Sequence, residues 1–362
     1  DTYAESGLDL SGGGAIGILT LQTAGDGQVI VNETGSDKSD SIFEIGQAGG
    51  ISTMTVTIAG ATSSEFLLQN ACHALYVYEG SDLSLGHVVV QDNTCDAAAA
   101  AAAGAGIYAE APGGDIHITA STFEDNEVVD GSGGAIYSED PAFLYVESST
   151  FTTNRVRDGA DVAVAGDNRG GAVAVIFVGA SGPVPVTFID SSFDGNYVEA
   201  DAATSGGTGV GDGGAVFAQN ADVLVSGGAV SFTNNDADRH GGAMYVDGLL
   251  GIRAFHDDID YDTASFVGNT AGSDGGAIYL ADEGRTVGYD ALGYMFPPGI
   301  RGTDLDPEAL LFQGNAAGRS GGAIAVVAGA GALVDPLFYA TGAAFYANAA
   351  GLDSSTGGGG AL

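Results

Sequence analysis

Cationic side chains are nearly absent from this chain. One lysine, Lys38, and eight arginines stand against 47 acidic residues, a formal net charge of −38 over 362 residues. Neutralising phosphates needs clusters of Lys and Arg, so nucleic acid is excluded as a partner, and the same charge repels anionic lipid headgroups. Tryptophan is missing altogether, which removes one common sugar-stacking platform. No run of about 18 strongly apolar residues occurs, and the alanine tract at 97–103 is too short and too weakly apolar to cross a bilayer. Neither a membrane-spanning helix nor a signal peptide is therefore expected, and helix signals are almost absent. The five histidines are dispersed without metal-ligand spacing, and no Ser-His-Asp order stands out. No glycine run has the strand-to-helix context of a phosphate loop.

What is present is apolar material, 45% of the chain, together with 61 glycines. The carboxylates are scattered rather than gathered in a tail, and this apolar content is too high for disorder. A folded protein with a solvated acidic surface is expected, suited to surroundings rich in salt or divalent ions. A chain opening at Asp1 rather than Met is consistent with a processed, exported protein, and equally with an arbitrary cut in a longer chain; an extracellular or cell-surface location is expected.

The organising feature is a two-part phrase that recurs from the middle of the sequence to its last residue. Its first half, Phe-x-x-Asn, sets Phe123, Phe151, Phe193, Phe232, Phe266, Phe312 and Phe345 three residues ahead of Asn126, Asn154, Asn196, Asn235, Asn269, Asn315 and Asn348. Its second half, Gly-Gly-Ala followed by an apolar residue, comes after each of these, at 133–136, 170–173, 213–216, 241–244, 275–278, 321–324 and 359–362. The Asn-to-Asn spacings are 28, 42, 39, 34, 46 and 33 residues. Such irregularity does not suit a helical array of fixed unit length; it suits a constant coil carrying loops of variable length. The expected fold is all-β: one parallel β-helix of roughly eleven coils, about 50 Å long at ordinary strand spacing. A single domain over 1–362 is expected, with less regular coils at 1–66 and phrase-bearing coils over 67–362.

Each part of the phrase has a structural reason to recur. Stacked Phe rings fill a narrow core, Asn side chains one coil apart can form an amide ladder and tolerate a left-handed corner, and paired glycines permit a second sharp corner. Weaker copies put Leu67 to Asn70 and Val90 to Asn93 in the Phe-x-x-Asn role, adding Asn70 and Asn93 to the ladder. Cys72 and Cys95 each follow one of these asparagines by two residues, so they fall one above the other. Coils about 4.8 Å apart fit the Cα separation of a disulfide. A bridge is expected, with two reduced buried thiols as the alternative; a closed zinc shell is disfavoured because no paired histidine accompanies the cysteines.

These motifs resemble the repeats of the chlamydial polymorphic membrane proteins and related bacterial surface proteins, over about residues 67–362. The resemblance implies a right-handed parallel β-helix, exported to the cell surface, adhesive towards host cells and able to oligomerise. That family usually continues into a middle domain and a C-terminal barrel, neither expected in these 362 residues, so membrane anchoring and host adhesion are not carried over.

Right-handed β-helices also include lyases and hydrolases of polysaccharides, which makes such an enzyme the rival reading; fold alone does not decide it. Among 47 carboxylates, pairs at a glycosidase spacing arise by accident, and a lyase acting on an acidic sugar would want more cationic groups. Arg155 with Arg157, and Arg239 with His240, are the only local basic clusters of catalytic flavour, and ion pairing is their expected role. Catalytic residues, metals and cofactors are expected to be absent; Asp258, Asp260 and Asp262, whose alternation would place three carboxylates on one strand face, read as an acidic outward face, with a calcium site as the alternative. The chain ends suggest a self-partner. Residues 13–16 and 359–362 both read as the second half of the phrase; a fragment or processed piece of a longer chain is the simplest account, and head-to-tail stacking into a filament is the sharper alternative. A cell-surface or glycan ligand completes the expected partners.

Overall fold

The computed structural model describes residues 2–4, 8–9, 17–22, 29–32, 41–46, 54–60, 66–96, 102–110, 114–159, 168–178, 184–199, 210–253, 263–282, 299–301, 310–328, 340–341 and 343–351. Within these, all regular structure is strand, and the strands form five parallel sheets taken in one cyclic order, three of them running nearly the whole length and two present in only some coils. The first sheet has eleven strands, one per coil, from Thr2–Ala4 to Ala343–Tyr346. It carries the Phe positions and is called the Phe sheet. An eight-stranded sheet follows, from Thr94–Asp96 to Ala349–Ala350, then a short four-stranded one from Ala102–Ala103 to Gly211–Asp212. Ten strands from Leu8–Asp9 to Ile324–Ala328 form the Tyr sheet, and ten from Gly17–Gln22 to Ala340–Thr341 form the return sheet. This is a parallel β-helix. The apolar side chains at alternate positions turn inward and merge into one core cluster running through the coils.

Identical residues meet identical residues because the coils stack in register. Phe123, Phe151, Phe193, Phe232, Phe266, Phe312 and Phe345 pair in succession, with ring centroids 4.6 to 4.9 Å apart and planes within 8° of parallel. Burying each ring is worth about 2–3 kcal/mol. In the next corner, each asparagine from Asn93 to Asn315 donates through Nδ2 to Oδ1 of the asparagine one coil on, at 2.9 to 3.1 Å. The second Nδ2 proton goes to a backbone carbonyl of the preceding coil, such as Phe123 O for Asn154 at 2.9 Å. Asn93, Asn126, Asn154, Asn196, Asn235, Asn269 and Asn315 are fully buried, so this double pairing is what makes them tolerable inside.

Two sequence expectations are corrected. Asn70 does not stand in the ladder: Leu68 pairs with Val90, so the amide of Ala71 donates to Asn93 Oδ1 at 3.0 Å and Asn70 falls one position short. The left-handed corner also belongs to the residue before each ladder asparagine, not to the asparagine itself. Asn70, Asp92, Asp125, Thr153, Gly195, Asn234, Gly268, Gly314 and Ala347 all have φ between 52° and 66°. Residues 13–16 and 359–362, which read as the second half of the phrase at the chain ends, and residues 258–262, with their three aspartates, lie outside the described residues.

The paired glycines act by two different means. Gly275 has φ +70°, a conformation that side chains rarely adopt, whereas at Gly276 a Cβ would lie 2.1 Å from the Gly322 carbonyl oxygen one coil on. The first glycine turns the chain and the second lets two coils approach.

Candidate functional site

The phrase is consumed by stacking, so functional chemistry has to be sought in what the coils turn outward. On the Tyr sheet the position after the buried Leu, Ile, Val or Met lies on the side away from the core, and there the half-buried Tyr76, Tyr108, Tyr137, Tyr245 and Tyr279 stand in one register with the covered Ala174, Phe217 and Ala325. Two stacked runs result. Tyr76 and Tyr108 stand 4.8 Å apart by ring centroid and Tyr108 and Tyr137 5.4 Å; Phe217 and Tyr245 stand 4.9 Å apart and Tyr245 and Tyr279 5.2 Å. Ala174 leaves the gap between them, and the Arg169 guanidinium lies 4.9 Å from the Phe217 ring centroid on the coil of that gap. A cation over an aromatic face takes the place of the missing ring.

Because the rings lie against one another, the stripe presents ring edges and hydroxyls to its surroundings more than open faces. Burial pushes the phenols of Tyr76, Tyr108, Tyr137, Tyr245 and Tyr279 up from their ordinary range, with neighbouring carboxylates adding to the effect, so they remain neutral donors. Tyr137 donates to Glu139 at 3.4 Å, and Tyr78 to Glu44 at 3.3 Å. The resulting face alternates phenol hydroxyls with carboxylates. The stripe was missed in reading the sequence, although its signal is plain: an aromatic residue follows the second half of the phrase at 137, 217, 245 and 279.

Beside this stripe runs a charged column. The residue before each glycine pair stacks on its counterparts, so that Asp212, His240, Asp274 and Ser320 are bridged in succession. Arg239 holds the buried Asp212 through Nε at 2.8 Å and through Nη2, and Arg319 holds Asp274. His240 lies against Tyr279, ring centroids 4.4 Å apart, with Nδ1 3.5 Å from Asp274 Oδ2. Burial holds its imidazole below the ordinary range, against the pull of Asp212 and Asp274. Arg155 and Arg157, the other basic cluster, both point at Glu127 from the next coil of the eight-stranded sheet; Arg155 Nε donates to it at 2.6 Å. Burial pushes that carboxyl up, but hydrogen bonds from Arg157 and Arg155 prevail and hold it below the usual range.

Cys72 and Cys95 form a disulfide between adjacent coils, with Cα atoms 4.3 Å apart. The bridge is offset by one residue from the simple stack, because Cys72 follows the ladder position at Ala71 by one residue and Cys95 follows Asn93 by two. The 72 position lies in a bend rather than in a strand of the eight-stranded sheet, and the bend absorbs the difference.

Two segments match a known repeat. Residues 120–139 and 263–281 each match the model of the Chlamydia polymorphic membrane protein repeat. Each segment spans one whole phrase, from before its Phe through the ladder Asn and glycine pair to the outward Tyr. The resemblance found in the sequence is thus to this repeat, and it supports a surface-associated protein. No curated protein and no solved structure matches the chain. Among the described residues no helix is long and apolar enough to cross a membrane.

Proposed function

We propose that this chain is an extracellular, non-enzymatic β-solenoid of structural and adhesive function, making contact through the outer face of the Tyr sheet. The repeat matched at 120–139 and 263–281 carries this reading, because each match includes the outward tyrosine as well as the stacking residues. A face of neutral phenols and carboxylates suits a hydroxyl-rich cell-surface glycan, which offers donors and acceptors without negative charge. Binding of the purified chain to immobilised neutral glycans and to cell surfaces tests it. Tyr108→Ala and Tyr245→Ala should each weaken binding at least about tenfold, the scale of an interface residue worth over 1 kcal/mol; unchanged binding by both variants would remove the face from consideration.

Head-to-tail self-assembly belongs to the same proposal. Apolar residues of the outermost described coils, Leu19, Leu21, Val29 and Val31 at one end and Phe345 at the other, are only partly buried, and Tyr346 is 52% exposed. A second copy could continue the ladders there, a heterologous contact that builds a filament. Electron microscopy of the purified protein would reveal it, whereas monodisperse single particles at high concentration would sink the idea.

One observation favours a second reading, a polysaccharide-acting enzyme: Asp212, His240 and Asp274 stand together beside Tyr245 and Tyr279. Asp212 is only 1% exposed and bound by Arg239, which favours a structural column. Glycan depolymerisation that disappears in Asp274→Asn would reverse the order of the two readings.

A further inference from the structure

The disulfide has a third donor beside it that stacking does not require. His73 Nε2 lies 3.5 Å from Cys72 Sγ and 3.7 Å from Cys95 Sγ, while Nδ1 lies 3.1 Å from the Gly104 carbonyl oxygen and 3.5 Å from Cys95 Sγ. A carbonyl only accepts, so the hydrogen bond to Gly104 puts the proton on Nδ1 and leaves the Nε2 lone pair free.

These distances have a meaning beyond packing. A nitrogen at about 2.0 Å and a sulfur at about 2.3 Å from one zinc ion, at trigonal or tetrahedral angles, stand roughly 3.6 Å apart. The Nε2-to-Cys72 separation already has that length, whereas Cys95 Sγ, 3.5 Å from Nδ1, sits beside the ring and has to swing towards Nε2 once the bridge opens. The two sulfurs of such a site stand roughly 3.8–4.0 Å apart. Opening the disulfide frees them to move to that spacing, and the 4.3 Å Cα separation between the coils leaves it within reach. Among the described residues, Cys72, His73 and Cys95 are the one group of three possible ligands whose donor atoms lie within 4.8 Å of one another.

We propose that reduction converts the Cys72–Cys95 bridge into a site for a thiophilic metal ion, with Zn²⁺ held by two thiolates and His73 Nε2 and a fourth position open. A dithiol reductant supplies two electrons and two protons; the bridge becomes two thiols and the reductant's own sulfurs join as a disulfide. The ion then forms two metal–sulfur bonds and one metal–nitrogen bond, releasing the two thiol protons to solvent. The Gly104 carbonyl, through Nδ1, keeps the ring turned to the ion as an outer-shell partner. His73 also packs on Tyr76 and Tyr108, with ring centroids 5.6 and 5.2 Å away, so the exchange of bridge for ion occurs at one end of the aromatic stripe.

The test uses the whole chain, opened with a phosphine under nitrogen and then freed of it, with two titratable thiols verified and folding followed by circular dichroism. Titration with Co²⁺ should give a thiolate-to-metal charge-transfer band that saturates at one ion per chain, and Zn²⁺ should displace it. The unreduced protein should give no band. His73→Gln, which retains a polar ring-sized side chain, should weaken Zn²⁺ binding at least about tenfold, as losing a ligand costs no less than losing an outer-shell partner. The reduced chain in urea serves as the reference. A folded, reduced protein that fails to bind overturns the proposal, as does affinity no higher than that of the chain in urea or unchanged by His73→Gln; a reduced chain that does not remain folded overturns it too.

Discussion

Asn196 donates from Nδ2 to Asn235 Oδ1 at 2.9 Å and to the Phe151 carbonyl at 3.0 Å, while its own Oδ1 accepts the side-chain and backbone N–H groups of Asn154 at 3.1 Å each. All four capacities of the amide are filled at a position with no solvent access. Asn196→Ala would orphan both donors of Asn154 and the Phe151 carbonyl together. With each buried unpaired group costing about 1–3 kcal/mol, the expected loss is about 3 kcal/mol or more. Asn348 is only partly buried, so Asn348→Ala should cost about 1 kcal/mol, where water replaces some partners. Denaturant melts of the two variants check the difference, and equal losses would contradict it.

The two corners of each coil respond differently to a new side chain. Gly314 is left-handed, φ +66°, but a Cβ there would meet nothing within 4 Å, and the equivalent corners carry Asp125, Thr153 and Asn234. Gly314→Asn should therefore change stability by less than about 1 kcal/mol, since Asn tolerates this conformation. At Gly276 the same added carbon would lie 2.1 Å from the Gly322 oxygen and 2.7 Å from Ala316 backbone atoms. Gly276→Ala must push two coils apart and should cost about 3 kcal/mol or more, as overpacking of a rigid backbone does. Thermal melts of both variants decide the ranking.

These corners also mark where sequence reading succeeded and where it stopped. The spacing of Phe266, Asn269 and Gly275 disclosed the stacking unit, because residues that meet their own kind must recur once per coil. Which of two adjacent residues turns left-handed was not legible, since Asp, Thr, Asn, Gly and Ala all occupy that corner and leave no common letter to follow. Asn70 was misplaced for a related reason: the Phe of that coil, Phe66, stands two residues ahead of the Phe column, Leu67 and Leu68 were equally good anchors, and only the pairing of Leu68 with Val90 distinguishes them. The Tyr stripe was legible at 137, 245 and 279 but fell outside a motif drawn to end at the buried Ile or Met. The charged column was not, because it depends on Asp212, His240 and Asp274 becoming neighbours across loops of different length.

The break in that stripe yields a further expectation. Arg169 lies over Phe217 where Ala174 leaves the outward ladder without a ring, and its Nη1 donates to Gln219 Oε1 at 3.3 Å. Arg169→Ala should cost about 1–2 kcal/mol, the range of a cation–π contact partly removed from water, and should expose Phe217. Arg169→Lys should recover only part, because an ammonium does not reproduce the planar contact. Unfolding free energies of the three proteins provide the check.

Acid should weaken the fold in two separable steps. Asp212, Arg239, Asp274, Arg319 and Tyr279 face His240, and burial among them holds its imidazole below the ordinary value. The unfolded chain therefore takes up this proton first as pH falls, and stability declines once pH drops below about 6.5, the ordinary His value, until the folded form is protonated as well. Glu127 acts lower down. Its folded carboxyl titrates below its unfolded value because Arg157 and Arg155 hold it, so its contribution is present above the unfolded value near 4.5 and is lost as pH falls through the folded one. Melting temperatures between pH 7.5 and 3 should show both declines. His240→Ser, which places there the residue that Ser320 supplies to the same column, should shrink only the upper step, leaving the part carried by the buried His73, and Glu127→Gln should flatten only the lower. An upper step undiminished in His240→Ser would assign that titration to another group.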